Sequence, residues 1–242
     1  MKTSIRFAVA ATLAIASFLT AGTAQATPLI LNGGFESGFA SWVRADQLGS
    51  EGSFFLQAGA TSPINLDPVP APPGGIRGAM TDALGPGSHV LYQDFAVTGT
   101  AATLSFSLFI GNRAPLFVSP ASLDFSTPAL NQQARVDILK AGTDPFSVSA
   151  SDVLLSLYQT HVGDSLVSGY TTQNFNLNSL FSANQGQTLR LRFAETDNVF
   201  TFQLGVDNVS LETPSAAVPE FSSLMSLTLG TILLVLIRMR RA

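Results

Sequence analysis

Short runs in which apolar and polar side chains alternate recur along the middle of the chain, separated by Gly, Pro, Asn and Asp. Residues 104–108 alternate leucine and phenylalanine with serine, and residues 189–193 alternate them with arginine. A period of two is typical of strands that bury one face. The pattern predicts ten strands, at residues 29–35, 53–58, 89–97, 103–111, 134–140, 153–159, 171–177, 188–195, 199–204 and 206–211.

Ten short strands with turn residues between them predict an all-β fold, an antiparallel β-sandwich of the jelly-roll type, over residues 27–212. One short helical turn is expected at residues 178–181. Prolines remove the hydrogen-bond donors that a strand needs, so residues 62–77 and 112–132 are expected to form long loops. These loops are either binding loops or insertions without a function.

The first 26 residues have the three parts of a secretory signal. Lys2 and Arg6 form a basic start, residues 7–19 are apolar, and Ala24 and Ala26 place small side chains before the expected cleavage site. A signal helix that is removed after Ala26 would leave a mature chain that begins near Thr27. The apolar run is too short to span a bilayer stably.

The far end of the chain carries a second apolar segment. Residues 221–237 form an uncharged run of 17 residues, which Arg238, Arg240 and Arg241 follow. At about 1.5 Å per residue the run is roughly 25 Å long, a marginal transmembrane helix. The arginines are expected on the cytoplasmic side, which places residues 27–217 outside the inner membrane, with 213–217 as a linker.

The net charge of the central domain indicates which classes of partner it can bind. Residues 27–217 contain 7 basic and 15 acidic residues, a net charge of −8. An acidic surface repels nucleic acid and anionic lipid, and it suits neutral glycans or divalent cations. The chain has no cysteine, so disulfides and thiolate metal sites are excluded.

The C-terminal segment resembles a known sorting signal. Val218, Pro219 and Glu220 precede the apolar run and the basic residues 238–241 close it, a pattern similar to the PEP-CTERM signal. Phe221 stands where that pattern has a second proline. The resemblance implies export by a Gram-negative bacterium that makes exopolysaccharide, and processing by an exosortase. The alternative is a plain tail anchor in the membrane.

The two ends of the central domain resemble carbohydrate-binding-module jelly rolls of the galactose-binding-like fold. Residues 31–36, with Trp42 six residues on, look like their first strand, and residues 205–211 look like their last strand. The resemblance implies that the terminal strands lie side by side and hold a structural calcium, with Glu36 and Asp207 as ligands. Alternatively, these two carboxylates cap turns or bind backbone amides.

Weaker calcium candidates and other charged residues lie on the strand at 188–195 and just beyond it. Glu195 and Asp197 are the weaker candidates for calcium ligands. Arg190 and Arg192 are expected to point outward and to form a charged face with these two acids, where ion pairs contribute little.

Aromatic residues are the usual platforms for sugar rings. Trp42 is expected in the core, and Tyr92, Tyr158 and Tyr170 are candidates among which the sequence does not choose.

No arrangement typical of a catalytic site is present. His89 and His161 are far apart in sequence, and the motifs of serine hydrolases, zinc proteases and phosphate-binding loops are missing. His161 lies near Asp164, but members of a triad are recognised by geometry. Carboxylates are numerous enough for a glycosidase pair, although spacing along the chain does not show which of them meet.

The sequence therefore predicts a non-catalytic, exported surface or matrix protein that binds exopolysaccharide or is embedded in it. Two alternatives stay open. A structural or protein–protein adhesion domain would expose apolar patches, and a polysaccharide hydrolase would bring two carboxylates together in a cleft.

Overall fold

The computed structural model describes residue 26 and residues 28–214. Within this part the chain forms ten strands and one helix: β1 (Val43–Asp46), β2 (Ser53–Gln57), β3 (Gly78–Asp82), β4 (Gly87–Ala96), β5 (Thr103–Asn112), β6 (Gln132–Lys140), β7 (Val153–Gln159), β8 (Thr171–Asn176), α1 (Asn178–Ala183), β9 (Thr188–Asp197) and β10 (Phe202–Glu212). The described residues include no helix with the length and apolar character needed to cross a membrane. The predicted signal helix and transmembrane helix lie outside them.

The strands form two five-stranded antiparallel sheets that pack face to face, so the predicted all-β sandwich is confirmed. The first sheet has the order β1-β4-β9-β6-β7, and the second has the order β2-β3-β10-β5-β8. Consecutive strands often fall in opposite sheets, as in β3–β4 and β9–β10. The chain therefore passes repeatedly across the ends of the sandwich, where connecting loops from both sheets meet.

The core lies between the sheets and is rich in phenylalanine. Phe106 of β5 and Phe193 of β9 meet edge to face across the two sheets, with ring centroids 5.2 Å apart. Helix α1 closes one end of the core, because Phe181 is fully buried and stacks on Phe95 at 6.1 Å. Burying side chains of this size supplies roughly 2–3 kcal/mol each.

Both long loops cover the outer faces of the sheets. Val69, in the loop at 62–77, packs on Met80 and Phe109 on the outside of the second sheet. In the other loop, Leu123 packs on Val90 and Ala194 on the outside of the first sheet. The loops thus have a structural role, and they explain why the central strands are buried on both faces.

The predicted first strand, at residues 29–35, is wrong. Only a short stretch runs beside β10: Pro28 forms a β-bridge with Glu212, and Gly33 accepts a hydrogen bond from the Val209 amide at 2.9 Å. Beyond it the backbone turns, because Asn32 and Phe35 adopt positive φ of 52° and 55°. The Asn-Gly-Gly sequence carried that turn signal.

Other strand predictions need smaller corrections. Residues 199–204 and 206–211 belong to one strand, β10, and residues 199–201 form the turn before it. Strands β1 and β3 were not predicted, because Val43–Asp46 is short and mostly exposed while Gly78–Asp82 is buried on both faces. Neither shows the alternation that marks a half-buried strand. The helical turn at 178–181 is confirmed within α1.

The prediction that Arg190 and Arg192 point outward into solvent is also wrong. Both lie on the outer face of β9, but the loop after β6 covers them: Arg192 is fully buried and donates to the carbonyls of Pro145 (2.8 Å) and Ser147 (2.6 Å). Asp137 supplies its counter-charge. Alternation correctly assigned the arginines to the outer face but did not reveal the loop above it. Glu195 and Asp197 lie on the opposite, core side of β9, so the predicted charged face that joins them to the arginines is wrong.

Candidate functional site

The Glu36 and Asp207 side chains both bind the loop that precedes β3. Glu36 Oε1 accepts hydrogen bonds from the amides of Ile76 (2.8 Å) and Arg77 (2.9 Å). Asp207 Oδ2 accepts one from the amide of Gly74 at 2.9 Å. The two carboxylates therefore meet at one loop, as the resemblance implied, and they bind backbone amides, as the alternative interpretation expected.

The local electrostatics bear on the calcium prediction. Burial raises the pKa of Asp207 to about 6, and the nearby charge of Glu36 raises it further, against the hydrogen bonds from Gly74 and Asn208. A cation between the two carboxylates would relieve this repulsion. Calcium takes six to eight oxygen ligands, however, and the described residues contain no group of three or more His, Asp or Glu side chains placed for a metal. Calcium at this position stays a prediction.

Most of the other residues that the sequence singled out lie outside the described part of the chain. Ala24 and the sorting-motif residues Val218, Pro219, Glu220, Arg238, Arg240 and Arg241 are outside the described residues, and Ala26 is half-buried. Trp42 is 6% exposed, and its Nε1 donates to the carbonyl of Asn32 at 3.1 Å, which confirms the expectation of a core position.

The three tyrosine side chains are all partly buried. The Arg190 guanidinium lies 3.9 Å from the ring centroid of Tyr92. The Tyr170 hydroxyl donates to Gln57 at 2.8 Å, and burial followed by the charge of Asp207 raises its pKa. Burial likewise raises the pKa of Tyr158. These three side chains therefore contribute to packing within the sandwich.

An open groove of about 560 Å³ runs along the edge where β1 of one sheet faces β2 of the other. We call it the edge groove. Arg44 crosses it, with its guanidinium 4.6 Å from the Phe39 ring centroid and Nη1 donating to the carbonyl of Phe54 at 2.9 Å. Ser53 Oγ donates to Asp46 Oδ2 at 2.9 Å. The lining residues are Phe39, Trp42, Val43, Arg44, Asp46 and Ser53.

A second group of polar side chains lies between the sheets beside this groove. We call it the interior acid cluster: His89, Glu195 and Asp197, which are buried, and Asp46, which is exposed at the groove. His89 Nδ1 lies 2.8 Å from Asp46 Oδ1, and His89 pairs directly with Glu195 across β4 and β9. The His89 Nε2 and Glu195 Oε1 atoms are buried and have no hydrogen-bond partner.

Burial is the main cause of the pKa shifts of Glu195 and Asp197 in this cluster. It raises the pKa of Glu195 well above the ordinary value, and the charge of Asp197 adds to the shift. Burial also raises the pKa of Asp197 to about 7, although the Gly87 amide and the His89 side chain favour its charged form. Groups with such shifted pKa values are more frequent at functional sites than elsewhere.

Asp197 also lines a pocket of about 200 Å³ at this end of the sandwich. We call it the end pocket. Its walls come from the β3–β4 loop and from the turn between β9 and β10: Leu84, Gly85, Pro86, Asp197, Asn198, Val199, Phe200 and Thr201. The pocket is separate from the edge groove, and the interior acid cluster lies between the two.

The sequence contained a signal for the cluster. Along β9 the alternation that buries Leu191 and Phe193 continues to Glu195 and Asp197, so both acids are on the core side. Because the chain offers many carboxylates, this pair did not stand out. His89 had no visible partner, since it meets Glu195 only across two strands far apart in sequence.

Comparison with known proteins adds information about the fold only. No family model matches the chain, and no curated protein matches it. Among solved structures, the K3 cleaved adhesin domain of Lys-gingipain from Porphyromonas gingivalis has a TM-score of 0.48 at 14% identity, covering 77% of this chain and 100% of that one.

Two further solved structures have a similar fold, and one of them is a cyclase. TmCBM61, solved with β-1,4-galactotriose, has a TM-score of 0.46 at 9% identity, covering 76% of this chain and 97% of that one. The Stig cyclase Fisc from Fischerella sp. has a TM-score of 0.46 at 18% identity, covering 79% and 100%. The β-sandwich is thus similar to those of carbohydrate-binding modules and adhesin domains, and the likeness concerns the fold alone.

Proposed function

We propose that this protein is a non-catalytic, exported surface or matrix protein whose sandwich binds extracellular polysaccharide in the edge groove. The groove carries the proposal. It is open, and it combines the Phe39 ring, over one face of which the Arg44 guanidinium lies, with the polar groups of Arg44, Asp46 and Ser53. Sugars present apolar C–H faces and hydroxyl groups, so a partly exposed ring beside charged donors and acceptors suits them.

Matched variants of exposed valines test this function. Val43 lines the groove and Val162 lies on the loop after β7, and both side chains are exposed. Val43→Glu adds a charge inside the groove, whereas Val162→Glu adds the same charge far from it. We expect the first variant to lose pull-down with the producer's own polysaccharide and the second to keep it. A glycan array and a pull-down that are both negative for the wild-type protein would remove the function.

Delivery to the cell surface is part of the proposal. The signal peptide, the acidic domain and the sorting pattern support export to the inner membrane, processing by an exosortase-type enzyme, and release to the cell surface or the extracellular matrix, with no nucleic acid as partner. Mass spectrometry of protein recovered from the producer's culture tests it. A mass that lacks the first 26 residues and the C-terminal segment is expected, and an intact C-terminus would indicate a tail anchor.

The strand orders β3-β10-β5-β8 and β4-β9-β6-β7 support a jelly roll.

A hydrolase would need two carboxylates together in a cleft. Glu195 and Asp197 share one face, but Glu195 is buried. Asp124 and Asp144 line one pocket of about 350 Å³, but hydrogen bonds from Ser126 and Gln47 hold the pKa of Asp124 below its ordinary value, which does not suit a general acid. An adhesion domain is the better second candidate, because Leu66 and Ile76 are about 70% exposed on the loop at 62–77.

A further inference from the structure

The end pocket combines apolar side chains with one acidic residue in its lining. Leu84 and Phe200 stand at its walls and are 78% and 62% exposed, although apolar side chains of this size are usually buried. Asp197, which is 3% exposed, is the acidic residue in the lining. A pocket with apolar walls and one acidic residue is suited to a small organic ligand of opposite charge.

The surroundings of the pocket are acidic as well. The carboxylate of Glu51 lies against Gly85 in the pocket wall, so close that a Cβ on Gly85 would be 2.7 Å from its Oε2 atom. None of the eight residues that line the pocket is a lysine or an arginine. With one acidic residue in the lining and a second beside the wall, the pocket favours a cation over an anionic ligand.

Buried polar atoms of the interior acid cluster lie behind Asp197. Glu195 Oε1 and His89 Nε2 are buried with no hydrogen-bond partner, at residues that are each 1% exposed. Leaving buried polar atoms unpaired costs free energy, so such atoms are rare in folded proteins. A donor group of a ligand that reaches Asp197 would stabilise its charged form in this desolvated place.

We propose that the end pocket binds the ammonium group of an unacetylated amino sugar. The inference rests on the proposed function, since it names the class of sugar that the protein recognises in a polysaccharide. A volume of about 200 Å³ suits a single sugar ring, because pockets for drug-sized ligands begin at about 300 Å³. Acetylation of the amine removes the charge and enlarges the group, so the acetylated sugar should bind less well.

Titration calorimetry with defined oligosaccharides tests this proposal. The ligands are a glucosamine trisaccharide, an N-acetylglucosamine trisaccharide and cadaverine, and the proteins are the wild type, Asp197→Asn and Glu212→Gln. The side-chain oxygen of the asparagine can still accept the Gly87 hydrogen bond that Asp197 Oδ1 accepts at 2.9 Å. Glu212→Gln removes a like charge at the far end of β10, a strand that is roughly 33 Å long.

We expect the glucosamine trisaccharide to bind the wild type at least tenfold more tightly than the acetylated one. Asp197→Asn should abolish this preference, and Glu212→Gln should keep it. Should Asp197→Asn fail to fold, Glu51→Gln replaces it, and a weaker preference of severalfold is expected there.

Three results would overturn the inference: equal binding of the two trisaccharides, a preference that survives Asp197→Asn, or cadaverine binding as tightly as the glucosamine trisaccharide. The last would show an ammonium site without sugar recognition. A lost amino-sugar preference alongside a polysaccharide pull-down that still responds to Val43→Glu would reject this inference alone. An absent pull-down would reject the proposed function instead.

Discussion

Asp137 is buried between two arginines on the outer face of the first sheet. Its Oδ1 lies 2.8 Å from Arg135 Nη2, and its Oδ2 contacts Arg192. Burial alone would raise the pKa of Asp137, but the hydrogen bond from Arg135 and the charge of Arg192 outweigh it and hold the pKa below the ordinary value. Arg192 in turn binds the loop above the sheet. The Asp137 carboxylate on β6 therefore connects β6, the neighbouring strand β9 and the loop after β6.

Removing this carboxylate should therefore destabilise the protein strongly. Asp137→Asn leaves two buried guanidinium groups without a counter-charge, and we expect the free energy of unfolding in urea to fall by about 3–5 kcal/mol. The control is Arg113→Gln, which removes an exposed ion pair with Asp67 at 3.7 Å. That change should cost less than about 1 kcal/mol. Similar losses in both variants would contradict a special role for the buried group.

Asp197 should make stability depend on pH. Its pKa is about 7 in the folded protein, against an ordinary value of 3.8, so the folded state binds more protons than the unfolded state between these values. The free energy of unfolding therefore falls as pH rises from about 4 to about 7, by roughly 4 kcal/mol at most for this group. Glu195 and Asp207, whose pKa values are also raised, act in the same direction.

Asp197→Asn removes this contribution. Relative to the wild type, the variant should gain stability as pH rises from 5 to 8, as measured by urea unfolding at each pH. Glu212→Gln, at the exposed end of β10, should follow the wild-type curve. A constant difference between Asp197→Asn and the wild type across this range would show that the Asp197 carboxyl titrates as it does in water.

At the scale of the elements, the segment before β1 depends on close contact between backbones. A Cβ at Gly33 would overlap the carbonyl of Val209, the residue whose amide donates to the Gly33 carbonyl. Gly33→Ala should therefore push the segment off β10 and lower the unfolding midpoint by several degrees. Gly169→Ala is the control, because nothing lies within 4 Å of its Cβ position. An equal midpoint for both variants would contradict this packing.

The calcium prediction concerns Glu36 and Asp207, which both bind the loop before β3. If calcium binds Glu36 and Asp207, a hundredfold excess over its dissociation constant adds about 3 kcal/mol, or roughly 5–10 °C in a protein of this size. Calorimetry with calcium and with chelator measures the shift, and Asp207→Asn should abolish it. No shift, together with no metal in the purified protein, would show that the carboxylates only bind backbone amides.

The sequence predicted those elements whose side chains alternate, and it failed where another part of the chain decides burial. Strands β5 and β9 were recognised because their core faces repeat leucine and phenylalanine. Strand β3 was missed because the loop at 62–77 covers its outer face. The same loop holds Glu36 and Asp207, so their convergence was expected from resemblance and not from spacing. The end pocket joins the turn at 197–201 to the loop at 84–86, a proximity that no local pattern encodes.

At the scale of the whole molecule, the candidate sites occupy different places. The edge groove opens between β1 and β2, while the end pocket lies where β9 passes to β10. Asp46 belongs to the groove and to the interior acid cluster, and Asp197 belongs to the cluster and to the pocket. The two openings therefore lie on either side of a single polar cluster.

The bridge between Pro28 and Glu212 has a consequence for engineering. Because the first and last described strand-like segments end side by side, a short peptide can join them without disturbing either sheet. New termini can then be opened at Gly163, an exposed loop glycine with nothing within 4 Å of its Cβ position. The sandwich is thus suited to circular permutation, and equally to insertion as a cassette into a surface loop of another protein.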